Sequence, residues 1–477
     1  MTTQCIPTEL TFPLQTPREV RASFDGGTIT SDGGALLLGQ VEAKTAILEQ
    51  FAACFTDHRD PDLIEHPVAD LLAQRVYGLA LGYEDLNDHD TLRRDPLLAT
   101  VIGKADPTGT DRVRPADRGK PLAGKSTLNR LELTRPEATG AERYKKIVAN
   151  TEAIDCFLVQ VFLQAHAQPP SQIVLDLDAT DDPLHGHQEG RFFHGYYKEF
   201  CYLPLYIFCG EHLLCARLRT ADNDASWGTE EELERIITQI RAAWPNVRIL
   251  LRADSGFCRE RLMSWCEARG IDYLFGLARN SRLEEMLAEA LAQAHVRYLA
   301  TGVAARVFAD LEYQTRDSWS RARRVVGKAE YLPKGPNPRF VVTSLAAEER
   351  AAQPLYEQDY CGRGEMENRI KEQQLMLFAD RTSTATLRAN QLRLYFSSVA
   401  YLLLAALRRL GLAGTGQARA QCQTMRGQLF KIGALVRVTV RKVWVSFSSA
   451  WPYQELFRQV WANLQRAPRV VLHPLRC

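Results

Sequence analysis

Residues 173–180 read Ile-Val-Leu-Asp-Leu-Asp-Ala-Thr, a short apolar run that ends in two acids. Such a run, bounded by polar residues, predicts a buried β-strand. Side chains on a strand alternate between its two faces, so Asp176 and Asp178 share one face. Either carboxylate could therefore point into a site at the end of this strand.

A second apolar strand is predicted at residues 248–253, and it ends in Asp254 followed by a Ser255-Gly256 turn. Around these two strands the sequence predicts a hairpin at 202–219, helices at 227–244 and 260–269, and a strand at 273–277. This order indicates a mixed α/β sheet, in which sites gather where strands end. One aspartate at a strand end more often caps a turn, but two on apolar strands that are separated in the sequence by a hairpin and a helix favour a site.

The chain divides into five predicted regions by the character of its segments. They are a helical N-terminal region at 1–150, a first core segment at 151–282, a β-rich insertion at 283–355, a second core segment at 356–412 and a basic C-terminal region at 413–477. The flanking elements are predicted as helices at 35–51, 67–81, 126–133, 365–378, 386–410 and 454–464, and a strand at 436–447.

Composition favours a folded protein without a membrane span. The chain of 477 residues is 45% hydrophobic and 24% charged, which is ordinary for globular proteins. Residues 1–9 lack a basic start followed by an apolar run, so no leader is expected. The longest apolar stretch, 394–407, is shorter than the roughly 20 residues that a spanning helix needs. Eleven cysteines at irregular spacing are typical of reduced thiols in the cytosol.

Charge is distributed unevenly along the chain, although the net charge is only +2. Residues 381–477 hold fifteen Lys and Arg against one acid, Glu455, so this segment carries +14 and the remainder −12. A segment so poor in carboxylates fits a surface that follows a phosphate backbone. A solvated basic face without a partner is the alternative.

A third candidate acid belongs to a polar helical stripe. Tyr360, Arg363, Glu367, Lys371 and Gln374 follow one another at steps of three or four, so in a helix they share one side. Charged stripes are usually solvated faces. Two glycines, at 362 and 364, weaken the predicted start of the helix, so its first members could precede it.

Taken together, these residues resemble the bacterial insertion-sequence DDE transposases, which have a ribonuclease-H-like core. In one large group of them the third acid lies in the signature Tyr-x2-Arg-x3-Glu-x6-Lys. Tyr360, Arg363 and Glu367 fit its first three places, whereas Gln374 stands where the group has lysine. Lys371, one helical turn earlier, could supply that charge.

The resemblance implies that Asp178, Asp254 and Glu367 are the catalytic acids. Asp178, in Asp-Ala-Thr, matches the first acid, and Asp254, in Ala-Asp-Ser-Gly-Phe, matches the second. They would hold two Mg²⁺ ions, for which Mn²⁺ is the expected substitute, the two aspartates sharing one ion and Glu367 completing the other. Whether Asp176 or Asp178 is the first ligand stays open at this point.

The resemblance also implies contacts to DNA. Tyr360, Arg363 and Lys371 would position phosphates, because a guanidinium fork suits phosphate oxygens. In relatives a flipped base stacks on an aromatic side chain of the insertion, and Trp319, near Arg323, is the candidate here. A tryptophan in the core of the insertion is the alternative for Trp319.

The expected function is therefore metal-dependent DNA cleavage and strand transfer at the ends of an insertion sequence. The expected partners are the terminal inverted repeats and target DNA, bound by a homodimer in the cytoplasm at the nucleoid. Two alternatives remain open: a nuclease with the same core that does not join strands, and a DNA-binding protein without activity.

Overall fold

The structure, a computed structural model, describes residues 9–470. They form two compact units, one from residues 9–45, Asp60–Asn129 and Ala406–Pro468, the other chiefly from Ala46–Arg59 and Arg130–Ala405. The outer ends of the predicted N- and C-terminal regions, residues 1–8 and 471–477, lie outside the described residues. The five-region division of the chain stays a prediction.

The second unit is built on a nine-stranded mixed sheet. Its main strands are β1 (Gln172–Ala179), β2 (Leu205–Cys209), β3 (His212–Arg217), β4 (Arg248–Ala253), β5 (Asp272–Leu277), β6 (Ala305–Tyr313), β7 (Arg323–Leu332) and β8 (Arg339–Thr343), and the short ninth strand is Gly335–Pro336. Their order is β3-β2-β1-β4-β5-β8-β7-β6, with the ninth strand beside β7. The predicted mixed α/β class is confirmed.

The two acid-bearing strands are parallel neighbours. Ile249 pairs with Ile173 and Leu251 with Leu175, and all four side chains are buried. Helices Thr151–Gln164, Thr229–Ala243 and Glu260–Ala268 contribute apolar side chains to the same core cluster. Because β1 and β4 run in the same direction, their C-terminal ends lie at one edge of the sheet.

The strands of the predicted β-rich insertion extend this sheet instead of interrupting it. Strand β8 pairs with β5, and β7 and β6 follow in order. Adjacent valines of these strands, Val325 with Val326 and Val341 with Val342, are all buried in clusters on opposite faces. Strands covered on both faces belong inside a sheet. The helices before them are Ser281–Met286 and Ala288–Thr301.

The polar stripe lies in one long helical stretch of several segments. These are Ala352–Pro354, Leu355–Tyr360, Cys361–Arg363, Gly364–Lys371 and Glu372–Met376, the second and last being wider π turns. The expectation that its first members precede the helix is thereby corrected. A Cβ on Gly362 would lie 2.7 Å from a guanidinium nitrogen of Arg252, so the glycine permits this close approach.

The first unit combines N-terminal helices with a C-terminal hairpin. Its helices include Ala35–Thr45, Val68–Leu81, Pro96–Ile102, Cys422–Met425 and Gln454–Arg466. The predicted strand at 436–447 is two strands, β9 (Ala434–Val438) and β10 (Val443–Phe447), joined by a turn. β9 also pairs with Ile29–Thr30.

One predicted helix, at 35–51, differs from the structure. The predicted helix at 35–51 breaks at Ala46, whose φ of 50° is left-handed, and Ile47–Ala52 is a separate helix. Two other helices are Lys125–Glu132 and Leu387–Leu410. Short strands also pair outside the large sheet: Leu10–Phe12 with Val20–Ala22, and Phe55–Asp57 with Ile147–Ala149. The strand Glu199–Tyr202 pairs with both Phe192–His194 and Asp182–Pro183. Between residues 9 and 470 no helix has the length and apolarity to cross a bilayer.

Candidate active site

A cavity of about 530 Å³ opens where β1 and β4 end. Its lining includes Asp178 just inside the end of β1, Asp254 just after β4, and Arg363, Glu367 and Lys371 from the long helical stretch. The structure thus brings all three predicted acids, which are far apart in the sequence, to one cavity.

Asp178 is largely buried, with 16% of its side chain exposed. Burial raises the pKa of Asp178 to about 7; Arg363 opposes this rise, while the negative charges of Asp254 and Glu367 add to it. The Ala179 amide also donates a hydrogen bond of 3.0 Å to its carboxylate. A carboxyl group that titrates near neutrality among other acids is typical of a functional site.

This shifted pKa predicts that Asp178→Asn stabilises the protein in a chelating buffer at alkaline pH. The folded pKa lies above the ordinary 3.8, so the stabilising contribution of Asp178 is complete below pH 3.8 and is lost as pH rises through 7. We expect the gain in unfolding free energy to be about 3 kcal/mol larger at pH 8 than at pH 5, since each pKa unit corresponds to roughly 1.4 kcal/mol. Urea unfolding at both pH values measures it, and an equal effect at the two pH values would contradict it.

Asp254 has a conformational role as well as a place in the cavity. Its Oδ1 accepts a hydrogen bond of 2.8 Å from the Gly256 amide, which begins the single turn Ser255–Phe257. A Cβ on Gly256 would lie 3.0 Å from this same carboxylate oxygen and 3.2 Å from Ala225. The turn therefore fixes the carboxylate at the end of β4. Asp254 both caps this turn and lines the cavity.

Arg363 lies among the three acids. Its Nη2 donates a hydrogen bond of 3.0 Å to Glu367 Oε1, and its Nη1 lies 3.9 Å from Asp178 Oδ2. Burial disfavours the charged guanidinium, but the charges of Asp178, Tyr360, Glu367 and Asp254 outweigh it and raise the pKa of Arg363. The guanidinium therefore supplies positive charge between Asp178 and Glu367.

The other members of the stripe differ in their surroundings. Tyr360 is not among the cavity residues; it packs against the Tyr356 ring at 5.6 Å and approaches Gly276 of β5. Gln374 donates a hydrogen bond of 3.0 Å to the Asp181 carbonyl. Lys371 is exposed at the cavity and, within residues 9–470, forms no ion pair. It is thus the cation of the stripe that is free to meet a phosphate.

Asp176 is directed elsewhere, although it shares a strand with Asp178. Its two carboxylate oxygens accept hydrogen bonds of 2.5 and 2.8 Å from the Arg252 guanidinium, and only 4% of the residue is exposed. It does not line the cavity. Of the two carboxylates that the sequence left open, the structure brings Asp178 together with Asp254 and Glu367.

Trp319 and Arg323 lie in the core, and the structure does not bring them to the cavity. The indole is 6% exposed and meets the Tyr313 ring edge-on at 5.6 Å, so it has no free face for a base. Arg323 is 4% exposed and pairs with Glu260 and Glu267 at 2.7 Å. The expected DNA contacts of this pair are corrected, because packing and ion pairing already occupy both side chains.

An aromatic hairpin completes one side of the cavity and was not among the predicted residues. His194, at the end of the strand Phe192–His194, and Tyr196 and Tyr197, in the turn before the strand Glu199–Tyr202, line the cavity, and Tyr196 is 83% exposed. The signal was present in the sequence as Phe-Phe-His-Gly-Tyr-Tyr at 192–197, an aromatic run in an otherwise polar segment.

The chemistry of the cavity suits divalent cations, with one steric condition. Aspartate and glutamate oxygens are the hard ligands that Mg²⁺ prefers. As the side chains stand, no three of the acids, histidines or cysteines in residues 9–470 are close enough together to hold an ion. The Arg363 guanidinium lies between Asp178 and Glu367, so a cation held by these carboxylates would have to displace it.

The chain is similar to known transposases. Residues 12–469 match the family described as Transposase DDE domain group 1. The comparison with curated proteins gave no match. Among solved structures, the piggyBac transposase synaptic complex with hairpin DNA is similar with a TM-score of 0.40 and 11% identity, over 83% of this chain and 79% of that one. Because the family match spans most of the sequence, the chain belongs to the Transposase DDE domain group 1 family and is a transposase.

Proposed function

We propose that this transposase cleaves DNA at the ends of an insertion sequence and joins the freed ends to target DNA by metal-dependent phosphoryl transfer. Asp178, Asp254 and Glu367 are its proposed catalytic acids. One observation carries the proposal: three acids from three separate segments line a single cavity at the ends of two parallel strands.

The proposed core is ribonuclease-H-like. The strands β1, β2 and β3 are antiparallel neighbours, and β4 and β5 run parallel to β1 on its other side. This arrangement agrees with the element order expected of such a core, with the third acid on a later helix. In this chain the segment between the second and third acids contributes β6, β7 and β8 to the same sheet.

Asp178 and Asp254 are the proposed holders of one Mg²⁺ ion, and Glu367 completes the site of a second. When bound, the ions stabilise charge on the phosphate and favour the attacking oxygen, with Mn²⁺ as the expected substitute. The Gly256 amide fixes Asp254, and strand β1 fixes Asp178, so two of the three carboxylates start from rigid elements.

We propose that the Arg363 guanidinium pairs with carboxylates when no metal is bound and contacts a DNA phosphate when metal is bound. A guanidinium that neutralises Asp178 and Glu367 in the absence of metal becomes available when cations take over those carboxylates. Its planar fork suits phosphate oxygens. Lys371, exposed at the cavity, is the proposed second phosphate contact. It would take the role of the lysine in the family signature, whose place Gln374 occupies in this chain. Tyr360 is proposed to support Arg363 from the helix.

This exchange predicts opposite effects of Arg363→Gln on metal binding and on catalysis. Without DNA, removal of the competing cation should strengthen Mn²⁺ binding by about tenfold, which corresponds to roughly 1.4 kcal/mol. DNA cleavage should fall by about a hundredfold, because the phosphate loses its charged partner. Electron paramagnetic resonance of free Mn²⁺ measures the first effect, and gel assays of cleavage measure the second. Weaker Mn²⁺ binding in the variant would exclude the exchange.

The test of the function uses the whole chain with DNA that carries the element's two ends and a supercoiled target plasmid. In Mg²⁺ we expect cleavage at the ends and covalently joined products, and with a chelator neither. A proposed homodimer should hold two labelled ends in one complex. Cleavage without joining would instead identify a nuclease, and binding without either reaction would identify an inactive DNA-binding protein.

A further inference from the structure

The C-terminal hairpin of the first unit has a face that no other described residue of the unit covers. In the antiparallel pair β9–β10, Arg437 is opposite Trp444 and Leu435 is opposite Ser446. These four residues share one side of the ribbon, and all four are exposed. The opposite side carries Ala434 and Val436, which are buried. The exposed face is therefore not needed for the unit's own core.

The exposed face and its tip carry cations that form no ion pair with the described residues. Within residues 9–470 neither Arg437, Arg441 nor Lys442 forms an ion pair, in contrast to Lys431, which pairs with Asp32 at 2.7 Å. The nearest acid along the chain on the C-terminal side is Glu455. Three neighbouring unpaired cations repel one another, and an external polyanion would relieve that repulsion.

The same face presents an indole between cations. Lys442 Nζ lies 5.4 Å and the Arg437 guanidinium carbon 5.9 Å from the centroid of the Trp444 ring, which is 49% exposed. Cations held over an aromatic ring keep both the ring and the charges in place. A flat ring flanked by positive charges can contact sugars and base edges while its neighbours meet phosphates.

The tip of the hairpin is held rigidly. The Thr439 amide donates a hydrogen bond of 2.9 Å to the Lys442 carbonyl, and the Lys442 amide donates one of 3.1 Å to Thr439 Oγ1. Between them Val440 is fully exposed. A partner that covers this apolar side chain would remove it from water, which favours binding.

We propose that the β9–β10 hairpin, 434–447, is a duplex-DNA-binding ribbon that enters a groove, with Arg437, Arg441 and Lys442 on the phosphates and Trp444 and Val440 in the groove. Ile29–Thr30 pairs with the hairpin only at its base, at Ala434 and Leu435, and the rest of the hairpin is two-stranded. A two-stranded ribbon is one of the two elements that the major groove, about 12 Å wide, admits. The inference rests on the proposed function for its partner, DNA, but binding by this hairpin is independent of the carboxylates that carry the chemistry.

The test measures duplex binding by the whole chain in a chelating buffer, where no metal-dependent cleavage occurs. Fluorescence anisotropy of a short labelled mixed-sequence duplex over a potassium chloride series gives the affinity and its salt dependence. For the triple variant Arg437→Ala/Arg441→Ala/Lys442→Ala we expect about tenfold weaker binding, and a slope of log affinity against log salt that is shallower by about 2 to 3, since each phosphate contact contributes about 0.9.

The matched control removes two arginines and one lysine from the second unit, by Arg316→Ala, Lys334→Ala and Arg339→Ala. These side chains are also exposed and form no ion pairs in the described part of the chain. We expect this control to keep the wild-type slope, and both triples to keep the wild-type melting temperature. Equal losses in the two triples would show that only net charge matters and would overturn the proposal.

A photocrosslinker at position 440 locates the contact. Benzophenone replacing Val440 should crosslink to the duplex, and the same group at Lys334 should not. Trp444→Ala should weaken binding without changing the salt slope, whereas Trp444→Phe should retain most of it. No crosslink at position 440, or preferential binding of single-stranded DNA over the duplex, would overturn the proposal that the hairpin binds duplex DNA. Loss of end cleavage with duplex binding by the hairpin intact would count only against the proposed chemistry.

Discussion

Asp254→Asn is expected to lower DNA strand cleavage by roughly a thousandfold or more while leaving the fold and duplex binding intact. The amide has no charge for a divalent cation, so the proposed ligand is lost. The cap is kept, because an asparagine Oδ1 accepts the same hydrogen bond from the Gly256 amide that Asp254 accepts at 2.8 Å. Single-turnover cleavage of end-bearing DNA in Mg²⁺ and in Mn²⁺ measures the loss.

Asp60→Asn is the matched control for this variant. Asp60 also begins a single turn, Pro61–Leu63, by accepting a hydrogen bond of 3.1 Å from the Asp62 amide, but it does not line the cavity. Its variant should cleave at the wild-type rate. If Asp254→Asn kept more than about a tenth of wild-type cleavage with normal folding, the proposed role of this carboxylate would have to be abandoned.

The cavity was predictable as far as it depends on strands and their ends. The apolar runs before Asp178 and Asp254 predict two strands. The local sequence pattern alone also predicts which side chains share a face of each strand and where each strand ends. Their parallel pairing then places both acids at one edge. The arrival of Glu367 beside them depends on a helix more than a hundred residues later, for which the sequence provides only the spacing of a polar stripe. There the choice of Glu367 as the third acid rests on the family resemblance, not on periodicity, and it stays a prediction.

The residues that were predicted less well depend on partners distant in sequence. In the sequence Arg323 resembles a surface charge beside Trp319. Its partners, Glu260 and Glu267, belong to a helix that strands β5 and β6 separate from it in the chain. Those two carboxylates make a buried cation tolerable. Arg363 is a similar case. Its spacing from Glu367 predicts that the two residues share one side of a helix, whereas its position between Asp178 and Glu367 depends on the tertiary fold.

Asp176→Leu is expected to lower the free energy of unfolding by about 3 to 5 kcal/mol, because it leaves the Arg252 guanidinium, 13% exposed, without its carboxylate. Burial raises the pKa of Asp176 against the opposing effect of Arg252, so the pair itself contributes little net stability. The cost of the variant lies in the cation that remains. Urea unfolding at neutral pH measures it, with Asp60→Asn expected to change stability by less than about 1 kcal/mol.

The double variant Asp176→Leu/Arg252→Met tests whether the unpaired Arg252 causes the loss of stability in Asp176→Leu. If an unpaired buried charge is responsible, replacing both partners with apolar side chains should restore most of the lost stability. A double variant no more stable than Asp176→Leu would contradict this reason. The same protein also separates the two aspartates of β1: folded, and with Asp178, Asp254 and Glu367 still lining the cavity, it should cleave DNA, whereas Asp178→Asn, although more stable at alkaline pH, should not.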